Sequence, residues 1–382
     1  MTAEAVLTRL FADADSRRFG TGWISGILSI VLGLLSLLAV LCLHFPQWLT
    51  LPELQPYYPL ELVRTAIDLS ILVTLLLAGL SMLLRRRKAL GITALELAAL
   101  ALALGAGGME IPRVGESSVY IGLDWFVLGT ISSAALFVPL ERLFALRGEQ
   151  GPFRPGWLTD TQYFFMSHAL VQVMSVAVLV PVVSVSALIA IPPLQQAVQA
   201  VPLVLQFLLC VLVADLTQYW VHRAFHRARW LWRFHAVHHS LESMDWIAGS
   251  RLHLLDVIVT RGLVLLPLVL LGFDTKVVYA YLGLVSFHAV FIHANFAPRA
   301  AWLERWIAMP RFHHWHHAIE PEAIDKNFAV HLPMIDRWFG THHMPDDEWP
   351  GGYGIAGTRA PEGYFRQLLW PLRRKDGPPI QP

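Results

Sequence analysis

Residues 201–239 read VPLVLQFLLCVLVADLTQYWVHRAFHRARWLWRFHAVHH, and this stretch decides the fold. The part up to Tyr219 is almost wholly apolar and close to the roughly 20 residues that a transmembrane helix needs. The part that follows carries closely spaced histidines. Residues three or four apart on an α-helix are surface neighbours, so these imidazoles can share one face and offer ring nitrogens to one ion. The stretch predicts a membrane helix that ends at a metal-binding site.

The composition of the whole chain favours a membrane protein. Of its 382 residues, 55% are hydrophobic and only 15% are charged, and the mean hydropathy is +0.51. The net charge of +1 gives no reason to expect a nucleic-acid partner, because basic residues are balanced by acidic ones. The two cysteines, Cys42 and Cys210, each lie in an apolar run and are interpreted as buried thiols.

Apolar runs of spanning length recur along the chain. They lie near residues 22–43, 66–84, 89–106, 120–139, 163–190 and 201–219. Two further runs, near 254–272 and 276–293, are joined by a short polar turn and predict a helical hairpin that dips into the membrane. The predicted fold class is all-α: a polytopic transmembrane helical bundle with a cytosol-facing, histidine-rich di-metal site.

Basic residues set the predicted orientation, because cytoplasmic loops carry an excess of Lys and Arg. Such residues precede the first run, follow the second and follow the fourth; they are Arg17, Arg18, Arg85, Arg86, Arg87, Lys88, Arg142, Arg147 and Arg154. The N-terminus is therefore expected in the cytoplasm. Alternation through six spans returns the chain to the same side at Tyr219, so the histidines are expected there too.

Chemistry-bearing residues are concentrated in the second half of the chain. Residues 1–155 are interpreted as a four-span N-terminal membrane region, residues 156–345 as the catalytic domain, and residues 346–382 as an irregular tail rich in Pro and Gly.

Fifteen of the 17 histidines lie between His222 and His343, mostly in short arrays. The arrays contain eight aligned histidines: His222, His226, His235, His238, His239, His313, His316 and His317. A lone pair at helical spacing is typical of a solvated face, but repetition favours metal binding. Because one ion takes three or four protein ligands in the best-known sites, eight histidines predict two neighbouring metals. Imidazole suits iron, zinc, copper and nickel, so the ligand type alone does not name the metal.

The order of the motifs from Asp215 to Thr341 resembles that of the fatty acid hydroxylase superfamily, also called the sterol desaturase family, of integral-membrane di-iron enzymes. The matching pieces are Asp215, Tyr219-x-x-His222-Arg223-x-x-His226, His235-x-x-His238-His239, Arg251-x-His253-x-x-Asp256, His293-Ala-Asn295, His313-x-x-His316-His317, Asp325-Lys-Asn327-Phe328 and Asp336-Arg-Trp-Phe339-Gly340-Thr341.

The resemblance implies ten metal ligands: the eight array histidines, His253 and His293. It also implies two iron ions (or zinc by misincorporation), O2, a lipid substrate in the membrane, and electrons from a separate cytochrome b5-like or ferredoxin-like protein. The chain departs from the family in one segment, where His253-Leu-Leu-Asp256 stands in place of a His-Pro-Leu-Glu-like sequence. The catalytic residues are expected to be the metal ligands alone.

Three polar residues are candidates for orienting the ligands. Asp215 lies seven residues before His222, close to two helical turns, so its carboxylate can share the ligand face. Asp325 and Asn327 follow the last array and are interpreted either as ligand-orienting residues or as turn and cap residues. Arg251 and Asp256 are expected to pair with each other.

The histidines outside the ligand set receive other assignments. His288, on an apolar helix, is interpreted as a core residue, and His314 is expected to point away from the ligand face. Surface or loop positions are expected for His331, His342 and His343.

The predicted activity is hydroxylation of a C–H bond of a fatty acyl, sterol, sphingolipid or ether or amino lipid, using O2 and two electrons. Desaturation of a lipid or sterol at the same site is an open alternative. A membrane metal or haem carrier is a minor one, because haem needs only two axial ligands and would leave the paired histidines unexplained.

Overall fold

The computed structural model describes residues 20–51, 55–105, 122–151, 153–169, 171–373 and residue 378. Over these residues the chain is helical and forms no β-strand, only isolated bridges such as Ala318 with Tyr353. The prediction of an all-α fold is confirmed. Contacts along the chain define two compact units, residues 1–131 and 132–382.

The first unit is built on three long apolar helices. Its helices are α1 (Trp23–His44), α2 (Pro46–Leu49), α3 (Leu60–Leu84) and α4 (Ala89–Leu104). Helix α1 packs closely on α3 and α4 because it presents small residues to them: a Cβ added at Gly26 would lie 2.6 Å from Ser81 Oγ and 2.8 Å from Leu90 Cβ. Val40 and Ala98 are fully buried in the core between these helices.

Helix α5 (Leu123–Leu143) contains the boundary between the two units. The boundary predicted from the sequence, between the N-terminal membrane region and the catalytic domain, is at residue 155 and stays a prediction. The reason for the earlier boundary lies in the polar residues from 141 onward: Glu141 accepts from the backbone N–H of Trp246 at 2.8 Å, and Arg154 donates to Asp245 at 2.6 Å. These bonds tie the end of α5 and the loop after it to the second unit.

The second unit continues through ten further helices among the described residues. They are α6 (Trp157–Ala169), α7 (Val171–Ile189), α8 (Pro192–Gln199), α9 (Leu203–Arg227), α10 (Arg229–His239), α11 (Leu254–Leu271), α12 (Thr275–Phe291), α13 (Pro310–His316), α14 (Pro333–Trp338) and α15 (Tyr364–Leu369). Its apolar core lies between α9, α11 and α12, where Cys210, Ala214 and Leu268 are fully buried.

Within the described ranges, five helices are long and apolar enough to cross a membrane: α1, α3, α5, α9 and α11. A sixth span arises if Val176–Ile189 and α8 are counted together, although they meet at a bend of 111°. The run near 89–106 forms a helix of only 16 residues, and α12 has 17. Conversely, α11 is long enough to span a membrane, although it was predicted to be one half of a helical hairpin. The expectation of a multi-pass membrane protein is confirmed.

The polar turn between α11 and α12 forms as expected. Gly272 adopts the left-handed conformation (φ 68°) that ends α11, and the Asp274 side chain accepts from the backbone N–H of Lys276 to cap α12. Both cysteines are buried and free, as predicted.

The C-terminal segment is less irregular than predicted, since it contains α15. Aromatic residues explain the difference. Tyr364 packs edge-on against Tyr163 of α6 with 4.8 Å between ring centroids, and Trp370 is almost fully buried beside them. Burying these rings fixes the segment against α6 and α10.

Candidate metal centre

Nine histidines from four parts of the second unit converge at one place. They are His222 and His226 of α9, His235, His238 and His239 of α10, His293 just after α12, and His313, His316 and His317 at α13. Each is at most 5% exposed. Ala228 makes the convergence of the first five possible, because its extended backbone (φ −89°, ψ 113°) ends α9 and turns the chain into α10.

The nine side chains form two groups. Within each group, one ring nitrogen per residue lies within 4.8 Å of the others. The first group contains His222, His226, His235, His239 and His316, and the second contains His238, His293, His313 and His317. The groups adjoin: the rings of His239 and His317 stack with 4.5 Å between centroids. This arrangement provides two neighbouring groups of candidate metal ligands; the number of bound ions stays a prediction.

Backbone carbonyls fix the tautomer of four rings. Nδ1 of His222 donates to the carbonyl of Phe328 at 2.8 Å, and the Nδ1 atoms of His238, His293 and His316 donate to the carbonyls of Arg251, Ala289 and Lys326 at 3.0, 2.7 and 2.7 Å. A carbonyl oxygen only accepts, so Nδ1 carries the proton in each ring. In a neutral imidazole the lone pair is then on Nε2, the nitrogen that faces the group.

Burial favours the neutral form of five rings that lie outside the membrane-spanning helices. It lowers the pKa of His293 to about 4, and it lowers the pKa of His238, His239, His313 and His317 well below the usual value. Neighbouring imidazoles lower several of these pKa values further. Neutral imidazole is the form that binds metals.

The nitrogens of the second group are arranged around a common point. His293 Nε2 lies 3.0 Å from that of His313 and 3.4 Å from that of His238; His317 Nε2 lies 3.1 Å from that of His238 and 3.2 Å from that of His313. Metal–nitrogen bonds of about 2.0–2.1 Å would place adjacent ligand nitrogens about 2.9–3.4 Å apart. The observed spacing fits a metal ion.

The protonation pattern also calls for a cation. His238 and His293 both carry their proton on Nδ1, so two lone pairs face each other across 3.4 Å in neutral rings. In the first group, Nε2 of His239 and of His316 is buried without a hydrogen-bond partner among the described residues. Buried polar atoms left unpaired are costly, and a bound metal ion would satisfy them.

Two carboxylates orient two of the other five histidines. Asp256 Oδ2 accepts from His235 Nδ1 at 2.7 Å, and both side chains are buried. Asp325 Oδ1 lies 3.4 Å from His226 Nδ1, and its other oxygen lies 3.2 Å from Arg227 Nε. A carboxylate behind a ligand histidine fixes the ring and increases its basicity. The structure thus supports the ligand-orienting interpretation of Asp325.

The role of Asp256 in orienting His235 was not predicted from the sequence, because Asp256 was expected to pair with Arg251. Arg251 instead donates to Asp160 Oδ1 at 2.6 Å, and Asp160 also binds Arg154 at 2.7 Å. These buried ion pairs hold Arg251 in place, and the backbone carbonyl of Arg251 accepts from His238 Nδ1. The signal for Asp256 was its place in the motif Arg251-x-His253-x-x-Asp256, but its 21-residue separation from His235 gave no helical spacing to connect the two.

His253 lies outside both groups, so we remove it from the ligand set. It is the N-cap of α11, where its Nδ1 accepts from the backbone N–H of Leu255 at 3.0 Å and its Nε2 donates to the carbonyl of Leu368 at 3.0 Å. Both ring nitrogens are therefore occupied by the backbone.

Asp215 and Asn327 support the backbone near the site and touch no ligand ring. Asp215 is fully buried and accepts from the backbone N–H groups of residues 330, 331 and 332 at 2.8, 3.0 and 2.6 Å. The helical spacing from His222 was correct, but the carboxylate reaches a loop instead of an imidazole. Asn327, at φ 57°, donates to the carbonyl of Phe312 at 2.9 Å, which favours the turn interpretation over the ligand-orienting one.

The other histidines are accounted for. His288 is a buried core residue, as interpreted, and its Nδ1 lies 2.7 Å from that of His331. His331 is in a loop as expected but is buried, because it packs on His288. His314 is outside both groups, and its Nδ1 is 2.8 Å from Tyr353 Oη. His342 and His343 are partly buried and also outside the groups.

The fold and the site define a class: a multi-pass helical membrane protein with two adjoining polyhistidine groups suited to metal ions. Residues 207–341 match the model of the fatty acid hydroxylase family, and this segment contains all nine grouped histidines. This segment is therefore similar to the fatty acid hydroxylase domain.

Relatives of known description point in the same direction. An ornithine lipid hydroxylase of Rhizobium tropici is 30% identical over 175 residues, which are 46% of this chain and 52% of that protein. A Dictyostelium discoideum protein provisionally named a methylsterol monooxygenase is 30% identical over 145 residues, which are 37% of this chain and 52% of that protein. The chain spans about half the length of these curated relatives. No solved structure matches it.

Proposed function

We propose that this protein is a membrane-bound di-iron oxygenase that hydroxylates a C–H bond of a lipid with O2 and two electrons. The observation that carries the proposal is the pair of adjoining groups, in which nine buried histidines present ring nitrogens to two positions. The family match over the same residues and the hydroxylase and monooxygenase names of the relatives support the reaction class.

Five histidines would hold one iron ion and four would hold the other. Zinc or copper would also accept such ligands, and the named activities of the relatives are what favour iron. When bound, the two iron ions would supply O2 binding and reduction, with electrons delivered by a separate redox protein of the cytochrome b5 or ferredoxin kind.

The role of the protein residues is to hold the ligands and to exclude water. The carbonyls of residues 328, 251, 289 and 326 and the carboxylates of Asp256 and Asp325 engage the Nδ1 atoms of six of the nine histidines, so that Nε2 of those six rings stays available. Phe328 is fully buried, and its ring lies 5.1–6.0 Å from those of His222, His226 and His316. This apolar wall limits access of bulk water to reactive species.

The substrate would be an amphiphile that reaches the site from the bilayer. Helix α9 is a candidate membrane span and also carries the first two ligands, His222 and His226. The site would therefore lie next to the membrane surface. The basic residues around the ends of the spans support a cytoplasmic site and N-terminus. The division into an N-terminal membrane region and a catalytic domain is part of the same proposal.

Lipid mass spectrometry under 18O2 tests the proposal. Cells would express the wild type, His316→Ala or His343→Ala; the last removes a histidine outside both groups. We expect a lipid that carries the heavy oxygen with the wild type and with His343→Ala but not with His316→Ala. Labelled product from His316→Ala would contradict the di-iron site, and an unlabelled lipid two hydrogens lighter would make the enzyme a desaturase.

A further inference from the structure

A cavity of about 590 Å³ opens on the surface of the second unit, in the segment between His293 and His313 and next to α14. Its lining includes Arg299, Trp302, Arg305, Trp306, Arg311 and Arg337. A second cavity of about 470 Å³ shares Arg305, Trp306 and Arg337 with it. None of these residues belongs to the metal groups. We propose that this pocket, the arginine–tryptophan pocket, binds the anionic headgroup of a membrane phospholipid.

The charge of the pocket is positive because its arginines outnumber its carboxylates. Four arginines line it against two acidic residues, Glu304 and Asp346. Glu304 is buried and paired with Arg311 at 2.7 Å. Arg299 is paired with Asp347 outside the lining. Over the described part of the chain, Arg305 and Arg337 have no carboxylate in ion-pair contact.

The two unneutralised arginines are held side by side. Arg337 Nη1 donates to the backbone carbonyl of Arg305 at 2.7 Å, which fixes one guanidinium beside the residue that carries the other. Arg311 is 4% exposed, and its Nε has no hydrogen-bond partner among the described residues. Guanidinium groups bind phosphate oxygens through paired N–H donors. The pocket therefore offers the donors that an anionic phosphate needs.

The aromatic residues favour a lipid over an acidic protein. Trp302 is 73% exposed, Trp306 60% and Trp338 57%, and Ile307 beside them is also exposed. Tryptophan interleaved with arginine is typical of the membrane–water interface, where the indole is at the level of the headgroups. The concave shape also suits a headgroup better than the surface of a globular partner.

The length of α9 indicates that the pocket lies at the depth of the membrane–water interface. This helix has 25 residues, about 37 Å at 1.5 Å per residue, and so exceeds a hydrocarbon core of about 30 Å. Near its metal-side end, Trp220 is half exposed and contacts Phe339 with 4.9 Å between ring centroids. Phe339 follows Arg337 and Trp338 directly, so the pocket adjoins the part of α9 that leaves the membrane.

The test measures lipid binding without turnover, so it can fail independently of the proposed hydroxylase. The full chain in a nonionic detergent would be titrated with phosphatidylglycerol or phosphatidylcholine, and bound lipids would be counted by native mass spectrometry. The variants are Arg305→Gln and Arg305→Glu. The matched control is Arg229→Gln, since Arg229 is also an exposed arginine beside an exposed tryptophan near the end of α9 but does not line the pocket.

We expect the wild type to prefer phosphatidylglycerol. Because one basic residue near an anionic surface contributes about 1 kcal/mol, Arg305→Gln should weaken binding about fivefold and Arg305→Glu more. Arg229→Gln should bind as the wild type does. Equal affinity of wild type and Arg305→Glu, or an equal loss in Arg229→Gln, would overturn the pocket. If Arg305→Glu bound the lipid as the wild type does but no longer captured an acidic redox protein, that result would also overturn the proposal and assign the surface to the redox protein.

Discussion

The hydrogen bond between Asp256 and His235 provides a quantitative test of the metal centre. In Asp256→Asn the side chain keeps its shape, and its amide oxygen can still accept from His235 Nδ1, at 2.7 Å in the wild type. Thr260 Oγ1, which donates to the other carboxylate oxygen at 3.0 Å, can rotate to accept from the new amide group. The substitution therefore removes the charge of the acceptor with little change in geometry.

The expected cost follows from the strength of that bond. A hydrogen bond to a charged group contributes about 1.5–3 kcal/mol and a neutral one about 0.5–1.5 kcal/mol, so the loss is about 1–1.5 kcal/mol. Since 1.4 kcal/mol corresponds to a factor of about ten, the affinity of the first group for its metal should fall about tenfold. A loss of that size is typical when the residue behind a ligand histidine is changed.

A chelator competition measures this loss. The full chain, loaded with ferrous iron under anaerobic conditions, would be equilibrated with increasing chelator, and the retained iron would be determined by elemental mass spectrometry. Asp274→Asn is the matched control, because it makes the same chemical change at the cap of α12, where Asn caps equally well. We expect about half of the iron in Asp256→Asn to be released at about tenfold lower free chelator. An unchanged release curve, with the fold intact, would refute the assigned role of Asp256.

Three further predictions test the site and its surroundings. His253→Ala should retain the metal content of the wild type while His293→Ala loses about half, as elemental analysis of the purified proteins would show; equal losses would return His253 to the ligand set. Gly249→Ala should lower metal retention, because its Cβ would lie 2.9 Å from His293 Nδ1, whereas Gly262→Ala, with open space around it, should not. Burial lowers the pKa of His331 to about 4, so between about pH 6.5 and 4 the unfolded chain binds a proton that the folded chain does not. Stability should fall as the pH falls through this range, and thermal unfolding of metal-free His331→Gln should show a smaller fall; an identical pH dependence would argue against a buried neutral His331.

The sequence predicted the elements of the site well where helical periodicity carried the information. The spacing of His235, His238 and His239 puts three rings on one side of α10, and the structure brings all three to the site. The apolar length of α9 likewise predicted a span that ends at the first ligands.

Predictions based on helical spacing or on the family resemblance were wrong where the loops decide the outcome. Asp215 has the helical register of His222, but its carboxylate accepts from the backbone N–H groups of residues 330 to 332 instead of from an imidazole. His253 stands in a histidine-containing motif, yet it begins a helix and bonds to the C-terminal segment. The four backbone carbonyls behind the ligands were not predictable from the sequence, because every residue has one.

Those carbonyl acceptors have a consequence for how such a protein can diverge. The groups that fix the tautomers of His222, His238, His293 and His316 belong to the main chain of residues 328, 251, 289 and 326, so replacing those side chains cannot delete them. In the proposed enzyme, mutational drift can then reshape the surroundings of the metal site, and with them the choice of lipid, while the acceptors that orient these four ligands are retained. The vulnerable points are the two acceptors that a single codon change can remove, Asp256 and Asp325.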